Sequence, residues 1–414
     1  MAKETVVSFL PMEAVGENGE LDLSQNREIG AVGNGYTYLR DGDVAYAKIT
    51  PCFENGKAAE MAGLTEGIAF GTTELTVLRP KPDKCFGRFL YWVIKSPEFS
   101  ISGEATMTGA GGQKRVPDNF ARNFEIACPP LPEQRAIAGF LDRETAKIDA
   151  LVEEQRRLIA LLKEKRQAVI SHAVTKGLDP AAPTKPSGID WLGDIPAHWK
   201  VAPLKRGVVS FEQGWSPQCE NRPADDGEHG VLKVGCVNGG VFRREENKAL
   251  PPDLETREGL NLLQGDLLIS RANTRDLVGS AAIVPVDEPN LILCDKLYRL
   301  RLDPAALLPS FVCMQLGTRL ARQEIELEAT GASASMVNIG QSVISELRLP
   351  VPDIAEQEQI VHHVAEQTEN LDNLTAEATR AISLLQERRS ALISAAVTGK
   401  IDVRDTMIDS TEAA

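Results

Sequence analysis

Apolar residues recur at heptad spacing over two long stretches of the chain, a pattern typical of amphipathic helices. The apolar positions of the first stretch are Ile137, Leu141, Ile148, Leu151, Leu158, Leu162 and Val169, and those of the second are Ile360, Val364, Leu371, Leu374, Leu385 and Leu392. Prolines precede both stretches, and Gly177 and Gly399 follow them, which are signals for helix starts and stops. The pattern therefore predicts two helices of about 40 residues, each roughly 60 Å long.

The two helical stretches are copies of each other. Residues 133–179 align without a gap to residues 356–402 at a constant offset of 223, and about twenty of roughly 47 pairs are identical. The same offset returns upstream, where residues 42–44 match residues 265–267. The chain is therefore a two-fold duplication of a globular segment followed by a long helix.

A helix of this length exposes its apolar stripe unless another surface covers it. We expect the two copies to pair with each other as an antiparallel coiled coil. The alternative is that each helix packs on its own globular domain.

The globular segments have a mixed pattern. Alternating or β-branched runs predict strands at residues 43–49, 73–78, 266–270 and 296–302, and helices are predicted at residues 86–95 and 310–328. The fold class is therefore α+β: two globular mixed α/β domains separated by two long antiparallel helices, with pseudo-two-fold symmetry. The predicted divisions are domain 1 at 1–128, long helix 1 at 129–180, domain 2 at 181–352, long helix 2 at 353–402 and a tail at 403–414.

Charge restricts the functional classes. The chain has 45 Lys and Arg against 59 Asp and Glu, a formal net charge of −14, which excludes a histone-like DNA binder. Half of the excess lies in residues 353–414, which hold 5 basic and 12 acidic side chains. A DNA binder that depends on partners for phosphate affinity is compatible with this distribution.

No chemistry of a familiar enzyme class is visible. The sequence has no G-x-x-x-x-G-K-[ST] phosphate loop and no Asp/Asn-Pro-Pro-aromatic run of the kind that amino-methyltransferases place around a flipped base. The seven cysteines form no C-x-x-C pair, and the adjacent histidines His362 and His363 point to different faces of a helix. We therefore expect no cofactor, no metal site, reduced thiols and a cytoplasmic protein. No apolar run approaches the roughly 20 residues of a membrane span.

Several polar residues near strand ends and in glycine-rich loops have the chemistry that reads base edges. Arg and Lys bind guanine, Asn and Gln bind adenine, and Ser binds either. The candidate DNA-binding residues are Lys48, Gln113, Lys114, Arg115, Arg271, Asn273, Arg275, Ser333, Ser335 and Asn338. The alternatives are an ordinary solvated loop at residues 108–115 and strand-end salt bridges from Lys48 and Arg271 to Asp43 and Asp266.

Three segments together resemble the specificity subunit of type I restriction-modification enzymes. The first, residues 129–135, opens the first long helix, and the second, residues 162–178, closes it. The third, residues 188–199, looks like that family's entry into a target-recognition domain, with Trp191 and Trp199 as expected core anchors. Residues 49–57 also resemble a segment that recurs in such domains, so the resemblance covers essentially the whole chain.

The resemblance implies a non-catalytic subunit with two target-recognition domains, each reading one half of a bipartite, asymmetric site in double-stranded DNA. It further implies that the helices space the two domains and dock two modification (methyltransferase) subunits, which recruit restriction (translocase and nuclease) subunits. One departure is expected to matter. About 40 residues precede the strand-like residues 231–234 of the second domain, whereas the first domain starts almost at the equivalent strand and is therefore expected to be shortened.

Two other classes of function stay open from the residues alone. The chain could be a coiled-coil scaffold that joins two protein- or ligand-binding domains without touching DNA. It could also be a single-chain enzyme with unrecognised catalytic residues.

Overall fold

The structure is a computed structural model, and it describes residues 1–333 and 336–403. The helices are α1 (Ile29–Val32), α2 (Gly87–Ile94), α3 (Pro97–Thr106), α4 (Phe120–Asn123), α5 (Leu131–Lys176), α6 (Pro309–Leu316), α7 (Arg319–Leu327), α8 (Gln341–Ser345) and α9 (Ile354–Val397). In these described parts, no helix combines the length and the apolar character that crossing a membrane requires.

Short strands make up the remaining regular structure. From the start of the chain to α5 they are β1 (Val6–Leu10), β2 (Asn26–Glu28), β3 (Thr37–Arg40), β4 (Val44–Ala47), β5 (Ala58–Glu60), β6 (Ile68–Gly71) and β7 (Leu75–Leu78). After α5 they are β8 (Thr184–Pro186), β9 (Asp194–Pro196), β10 (Lys200–Pro203), β11 (Val208–Gln213), β12 (Gly230–Leu232), β13 (Asn247–Ala249), β14 (Asn261–Leu262), β15 (Leu267–Ser270), β16 (Ala272–Asn273), β17 (Ala281–Ile283), β18 (Glu288–Ile292), β19 (Leu297–Leu302), β20 (Thr330–Ser333), β21 (Met336–Asn338) and β22 (Arg348–Val351).

The chain forms two compact units, and each long helix contributes to both of them. The first unit consists of Met1–Arg157 and the chain from Glu377 onward, and the second consists of Leu158–Ala376. Each unit therefore contains one end of α5 and one end of α9. The finer domain limits given by the sequence stay a prediction.

In the first unit, two small sheets pack with helices. One sheet has the order β2-β1-β6-β3, with β1 parallel to β6 and the other neighbours antiparallel. The other is antiparallel with the order β5-β4-β7. Its inner side chains join α2, α3 and the helix ends in one buried cluster that includes Tyr46, Phe89, Trp92, Ile137 and Ile393.

The second unit repeats both sheets and adds one strand to the second of them. The order β13-β12-β18-β14 matches β2-β1-β6-β3, including the parallel pair at its centre. The strands β17, β15 and β19 match β5, β4 and β7, and β11 extends this sheet by pairing with β19. A further pair, β10 and β22, also belongs to the second unit.

Within each unit the two long helices run antiparallel. In the first unit Arg389 Nε lies 2.9 Å from Asp149 Oδ1, and in the second Arg166 Nε lies 3.0 Å from Asp372 Oδ1. From Asp149 to Arg166 the residue number on α5 increases by 17, while the number of the partner on α9 decreases by 17, from Arg389 to Asp372. The predicted antiparallel pairing is confirmed, and so is the α+β class. The pseudo-two-fold symmetry of the whole chain stays a prediction.

Part of the predicted helix seam was wrong. Leu151, Leu158 and Leu374 are 45%, 40% and 46% exposed, although their spacing placed them in the seam. Val152 is buried beside Ile148, so the contact stripe runs one residue away from the predicted leucines. An apolar residue that flanks the seam by one position is hard to distinguish from a seam residue by spacing alone.

A buried glutamine fastens the start of each long helix to its unit. Gln134 Nε2 donates to the carbonyls of Lys84 and Pro129 at 2.8 Å each, and its Oε1 accepts the Phe86 N–H at 2.7 Å. Gln357, 223 positions later, makes the same three bonds in the second unit, to the carbonyls of Ala306 and Pro352 and from the N–H of Leu308. Both side chains are fully buried, so all their bonds replace contacts with water.

Candidate nucleic-acid interface

In the first unit, the candidate residues come together where a strand end meets a hairpin. Isolated bridges join Arg115 to Ile49 and to Thr108. The Thr50 N–H donates to the Lys114 carbonyl at 2.9 Å, and the Val116 N–H donates to the Lys48 carbonyl at 2.8 Å. Lys48 and the candidates of the loop, Gln113, Lys114 and Arg115, therefore share one surface region, although they were predicted from separate stretches.

The hairpin loop of the first unit depends on glycine at its base. Gly109 has a φ of +147°, and a Cβ there would lie 2.3 Å from the Gln113 carbonyl oxygen. Any larger residue would push the two sides of the hairpin apart.

In the second unit, a three-stranded sheet brings the remaining candidates together. β16 pairs with β21, and β21 pairs with β20, so that Asn338 lies opposite both Ala272 and Thr330. This register places Arg271, Asn273 and Asn338 in one region with the backbone of Ser333. The side chain of Ser333 and the whole of Ser335 lie outside the described residues.

The two regions have the same geometry. Asn338 in the second unit corresponds to Arg115 in the first. Arg115 pairs with Ile49 and Thr108, and Asn338 pairs with their counterparts Ala272 and Thr330. Arg271 likewise stands where Lys48 stands, directly after matching strands of the two sheets. The scaffold is therefore shared, while the side chains on it differ in charge and hydrogen-bonding pattern.

Carboxylates pair with two of the three cations of the first region, Arg115 and Lys48. The Arg115 guanidinium binds Glu74 through two bonds, Nη2 to Oε1 at 2.8 Å and Nε to Oε2 at 2.9 Å. These bonds lower the pKa of Glu74 and raise that of Arg115. Lys48 Nζ lies 3.0 Å from Asp118 Oδ1. Gln113 and Lys114 are exposed, and their side chains make no hydrogen bond within the described part of the chain.

The cations of the second region bind backbone carbonyls instead. Arg271 Nη1 lies 3.4 Å from the Asp295 carbonyl, and Arg275 Nη1 lies 3.4 Å from the Glu326 carbonyl. A carbonyl orients a guanidinium but does not cancel its charge, and neither guanidinium forms an ion pair within the described residues. Arg275 lies against the end of α7.

The alternative prediction, in which Lys48 and Arg271 form salt bridges with Asp43 and Asp266, was wrong because other arginines bind these two carboxylates. Asp43 is fully buried and accepts two bonds of 2.7 Å from Arg79. Asp266, also buried, accepts a 2.8 Å bond from Arg301 Nε. These carboxylates stabilise the sheets and are not available to Lys48 or Arg271.

Asn273 positions a neighbouring turn that the sequence did not single out as functional. It is only 8% exposed, and its Nδ2 donates to Asn238 Oδ1 at 3.1 Å. Arg243 Nη1 donates to the Asn238 carbonyl at 2.6 Å. The turn at Asn238, with Gly239 at a φ of +78°, therefore brings an amide and a guanidinium close to Asn273. Only the fold brings this turn to Asn273.

Within the described residues, no group of three or more His, Cys, Asp or Glu side chains is arranged to hold a metal ion. The predicted cofactor-free character is not tested by this observation.

Comparison with known proteins shows which class of molecule the chain is similar to. Residues 34–160 match the model of the type I restriction modification DNA specificity domain. The chain is 27% identical to the type I restriction enzyme EcoEI specificity subunit of Escherichia coli over 95% of this chain and 79% of that protein. It is 49% identical to the EcoAI specificity subunit of the same species over 38% of this chain and 27% of that protein. A further match is the MjaVIII specificity subunit of Methanocaldococcus jannaschii, at 25% identity over 89% of this chain and 85% of that protein.

Solved structures show the same fold. A chain from a study of complex assembly and conformational transition of the type I R-M system superimposes with a TM-score of 0.73, at 18% identity, over 96% of this chain and 93% of that one. The HsdS subunit from Thermoanaerobacter tengcongensis gives a TM-score of 0.53 at 17% identity, over 96% and 92% of the two chains. The resemblance seen in the sequence is confirmed: over nearly its whole length the chain is similar to specificity subunits of type I restriction-modification systems.

Proposed function

We propose that the chain recognises a bipartite, asymmetric DNA sequence, with each unit contacting one half of it. The carrying observation is the shared strand-and-hairpin region, which presents Arg115 in the first unit and Asn338 in the second. Arginine is suited to the O6 and N7 of guanine, and asparagine to the N6 and N7 of adenine. Two similar frames with different readers favour two unlike half-sites.

The candidate residues divide into readers and positioning residues. Gln113, Lys114, Arg115, Arg271 and Asn338 supply the groups for contacts to bases and phosphates. Asn273 is buried and acts through the turn at Asn238. The Lys48 ammonium forms an ion pair with Asp118, and Lys48 lies next to the hairpin of residues 108–115.

The chain supplies recognition within the complex rather than catalysis. Its relatives are named specificity subunits of type I restriction enzymes, and we propose that modification and restriction subunits of the same system bind to it. The cytoplasmic location stays a prediction.

Exposed leucines on the long helices support a docking role. On α5, Leu151, Leu158 and Leu161 recur at intervals of seven and three residues and are 45%, 40% and 53% exposed. On α9, Leu374 and Leu384 occupy the positions 223 residues beyond Leu151 and Leu161 and are similarly exposed. Apolar side chains spaced in this way on a helix form a stripe that partner helices cover. Because the stripe occurs twice, we propose two modification subunits.

Sequence selection from random duplexes tests the recognition role. The chain, together with the modification subunits of its own system, is incubated with randomised double-stranded DNA, and bound molecules are sequenced. We expect two enriched half-sites of unlike sequence separated by a spacer of constant length. Because the net charge is −14, the chain alone should bind at least tenfold more weakly. Absence of enrichment would favour the coiled-coil scaffold that does not touch DNA.

Two substitutions test which half-site each unit reads. Arg271→Ala should weaken binding and relax only the half-site read by the second unit, since a lost cation and a lost base contact both act there. Glu74→Gln should strengthen binding through the other half, because it frees Arg115. Changes in the same half-site from both variants would contradict the assignment.

The spacing role of the helices is tested by their length. Deleting seven residues from each helix keeps the apolar stripes in phase. We expect the spacer of the selected site to shorten, and an unchanged spacer would refute the role.

A further inference from the structure

The second unit contains a segment, residues 195–213, that contacts three parts of the unit at once: Glu356, β22 and β19. We call these three parts the receiving positions. Trp199 Nε1 donates to Glu356 Oε2 at 3.0 Å, and His198 Nε2 lies 2.8 Å from the same oxygen. Residues 200–203 then form β10, which pairs with β22, and residues 208–213 form β11, which pairs with β19. The Trp199 ring is fully buried against Phe311 and the long helices.

The first unit has the same three receiving positions, and no segment fills them within the described residues. Glu133 lies 223 positions before Glu356, and its carboxylate makes no described hydrogen bond or ion pair. Residues 125–128 correspond to β22 but make no backbone hydrogen bond in the described part of the chain. β7, which corresponds to β19, is an edge strand with a neighbour on one side only.

Exposure differs between the units at the strand edge, although the first-unit counterparts of the residues around Trp199, such as Ile393 and Val397, are themselves buried together with Val403. Leu349 in β22 is 2% exposed, whereas Ile126, its counterpart in the first unit, is 37% exposed. Cys128 is exposed as well, and its counterpart Val351 is partly covered. Unpaired strand edges beside exposed apolar side chains are templates for an added strand.

We propose that the first unit binds an extended polypeptide segment with the chemistry of residues 195–213. Its His-Trp pair would reach Glu133, its first extended stretch would pair with residues 125–128, and its second would pair with β7. We call these three positions the open cradle. This is strand addition to an existing sheet edge, in which backbone bonds give affinity and the tryptophan gives specificity. The proposal does not depend on DNA recognition.

The chain itself supplies the probe for a test. A fluorescent peptide with the sequence of residues 194–213 is titrated with the full chain, and its anisotropy is measured. We expect saturable binding of one peptide per chain. Replacing the tryptophan of the peptide by alanine should weaken binding at least tenfold, and a scrambled peptide should not bind. Absence of saturable binding would overturn the proposal.

Variants of the chain locate the bound peptide. Glu133→Ala should weaken binding about tenfold, whereas Glu153→Ala, a control on the exposed face of the same helix, should not change it. Because Glu133 has no partner within the described residues, its loss should leave the thermal unfolding of the chain unchanged. Hydrogen exchange should slow at residues 125–128 and 75–78 when peptide is bound. Binding that is unaffected by Glu133→Ala, or protection confined to the second unit, would refute the open cradle.

Discussion

The two units share their buried polar contacts and differ at their exposed hairpins. Gln134 and Gln357 make the same three bonds, and Asp43 and Asp266 are buried and paired with arginines. The partly exposed bridging position, by contrast, holds Arg115 in one unit and Asn338 in the other. Buried polar groups need all their partners, so they are hard to change, whereas a solvated hairpin accepts many side chains. A constant frame that carries different side chains is the arrangement that the proposed recognition of two unlike half-sites needs.

The largest difference between the units is the segment around Trp199, and its removal should affect one unit only. Trp199→Ala leaves a large cavity and removes the bond to Glu356, which should cost the second unit about 3–5 kcal/mol. Hydrogen exchange read by mass spectrometry should show lost protection in the second unit and little change in the first. The partly buried Trp215 provides a control, since Trp215→Ala should cost less. Equal loss in the two units would show that they unfold together.

Gln134 and Gln357 make the same hydrogen bonds, so they should contribute equally to the free energy of unfolding. Gln134→Leu and Gln357→Leu each leave two carbonyls and one N–H without partners, which should cost about 3 kcal/mol in either unit. Urea unfolding of the two variants would measure this, with the exposed Gln367→Leu as the control. A difference of more than about 1 kcal/mol would mean that the shared bonds do not carry the same weight.

Lys95 gives the first unit a pH response that the second lacks. Its Nζ donates to the carbonyls of Glu17 and Gly56, and burial lowers its pKa from 10.5 to about 8. The corresponding residue in the second unit is Gly317. Between about pH 8 and 10.5 the unfolded chain keeps a proton that the folded chain has lost, so the stability of the first unit should rise with pH in this window.

The substitution Lys95→Met isolates that response. We expect the gain between pH 8 and 10.5, at most about 3 kcal/mol, to disappear in the variant. Unfolding curves at several pH values measure it, and the exposed Lys84→Met should keep the wild-type response. The same pH dependence in Lys95→Met and wild type would rule out this role for the lysine.

The smallest expected difference concerns the two inter-helix ion pairs. Arg389 is 16% exposed and Arg166 is 39% exposed, so water screens the second pair more. Double-mutant cycles should give about 0.5 kcal/mol for Arg166 with Asp372 and about 1 kcal/mol for Arg389 with Asp149. The reverse order would show that burial does not set the strength of these pairs.

Much of the fold could be predicted because it repeats. The offset of 223 and the heptad spacing gave both long helices and their antiparallel pairing. The seam was misplaced at Leu151 and Leu158 because these leucines lie on an exposed stripe beside the buried seam residues. Spacing along one helix does not show which of two adjacent apolar residues faces the partner.

The candidate region was predicted residue by residue but not as a whole. Lys48 and Arg115 are brought together by bridges across 67 positions of the chain, and such register is not visible in either segment alone. The bond from Arg115 to Glu74 was missed for the same reason, as was the bond from Asn273 to Asn238. Composition and loop chemistry indicate which side chains can bind DNA, but only tertiary pairing decides which of them are already engaged.

The pair of hydrogen bonds between Arg115 and Glu74 has a consequence for the selectivity of DNA binding. A guanidinium that already holds two carboxylate oxygens must exchange both hydrogen bonds when it binds DNA. A guanine edge offers two acceptors in matching positions and can replace both bonds together, whereas another base replaces one at most. The carboxylate would thus act as an internal competitor that keeps the first unit from settling on the wrong sequence.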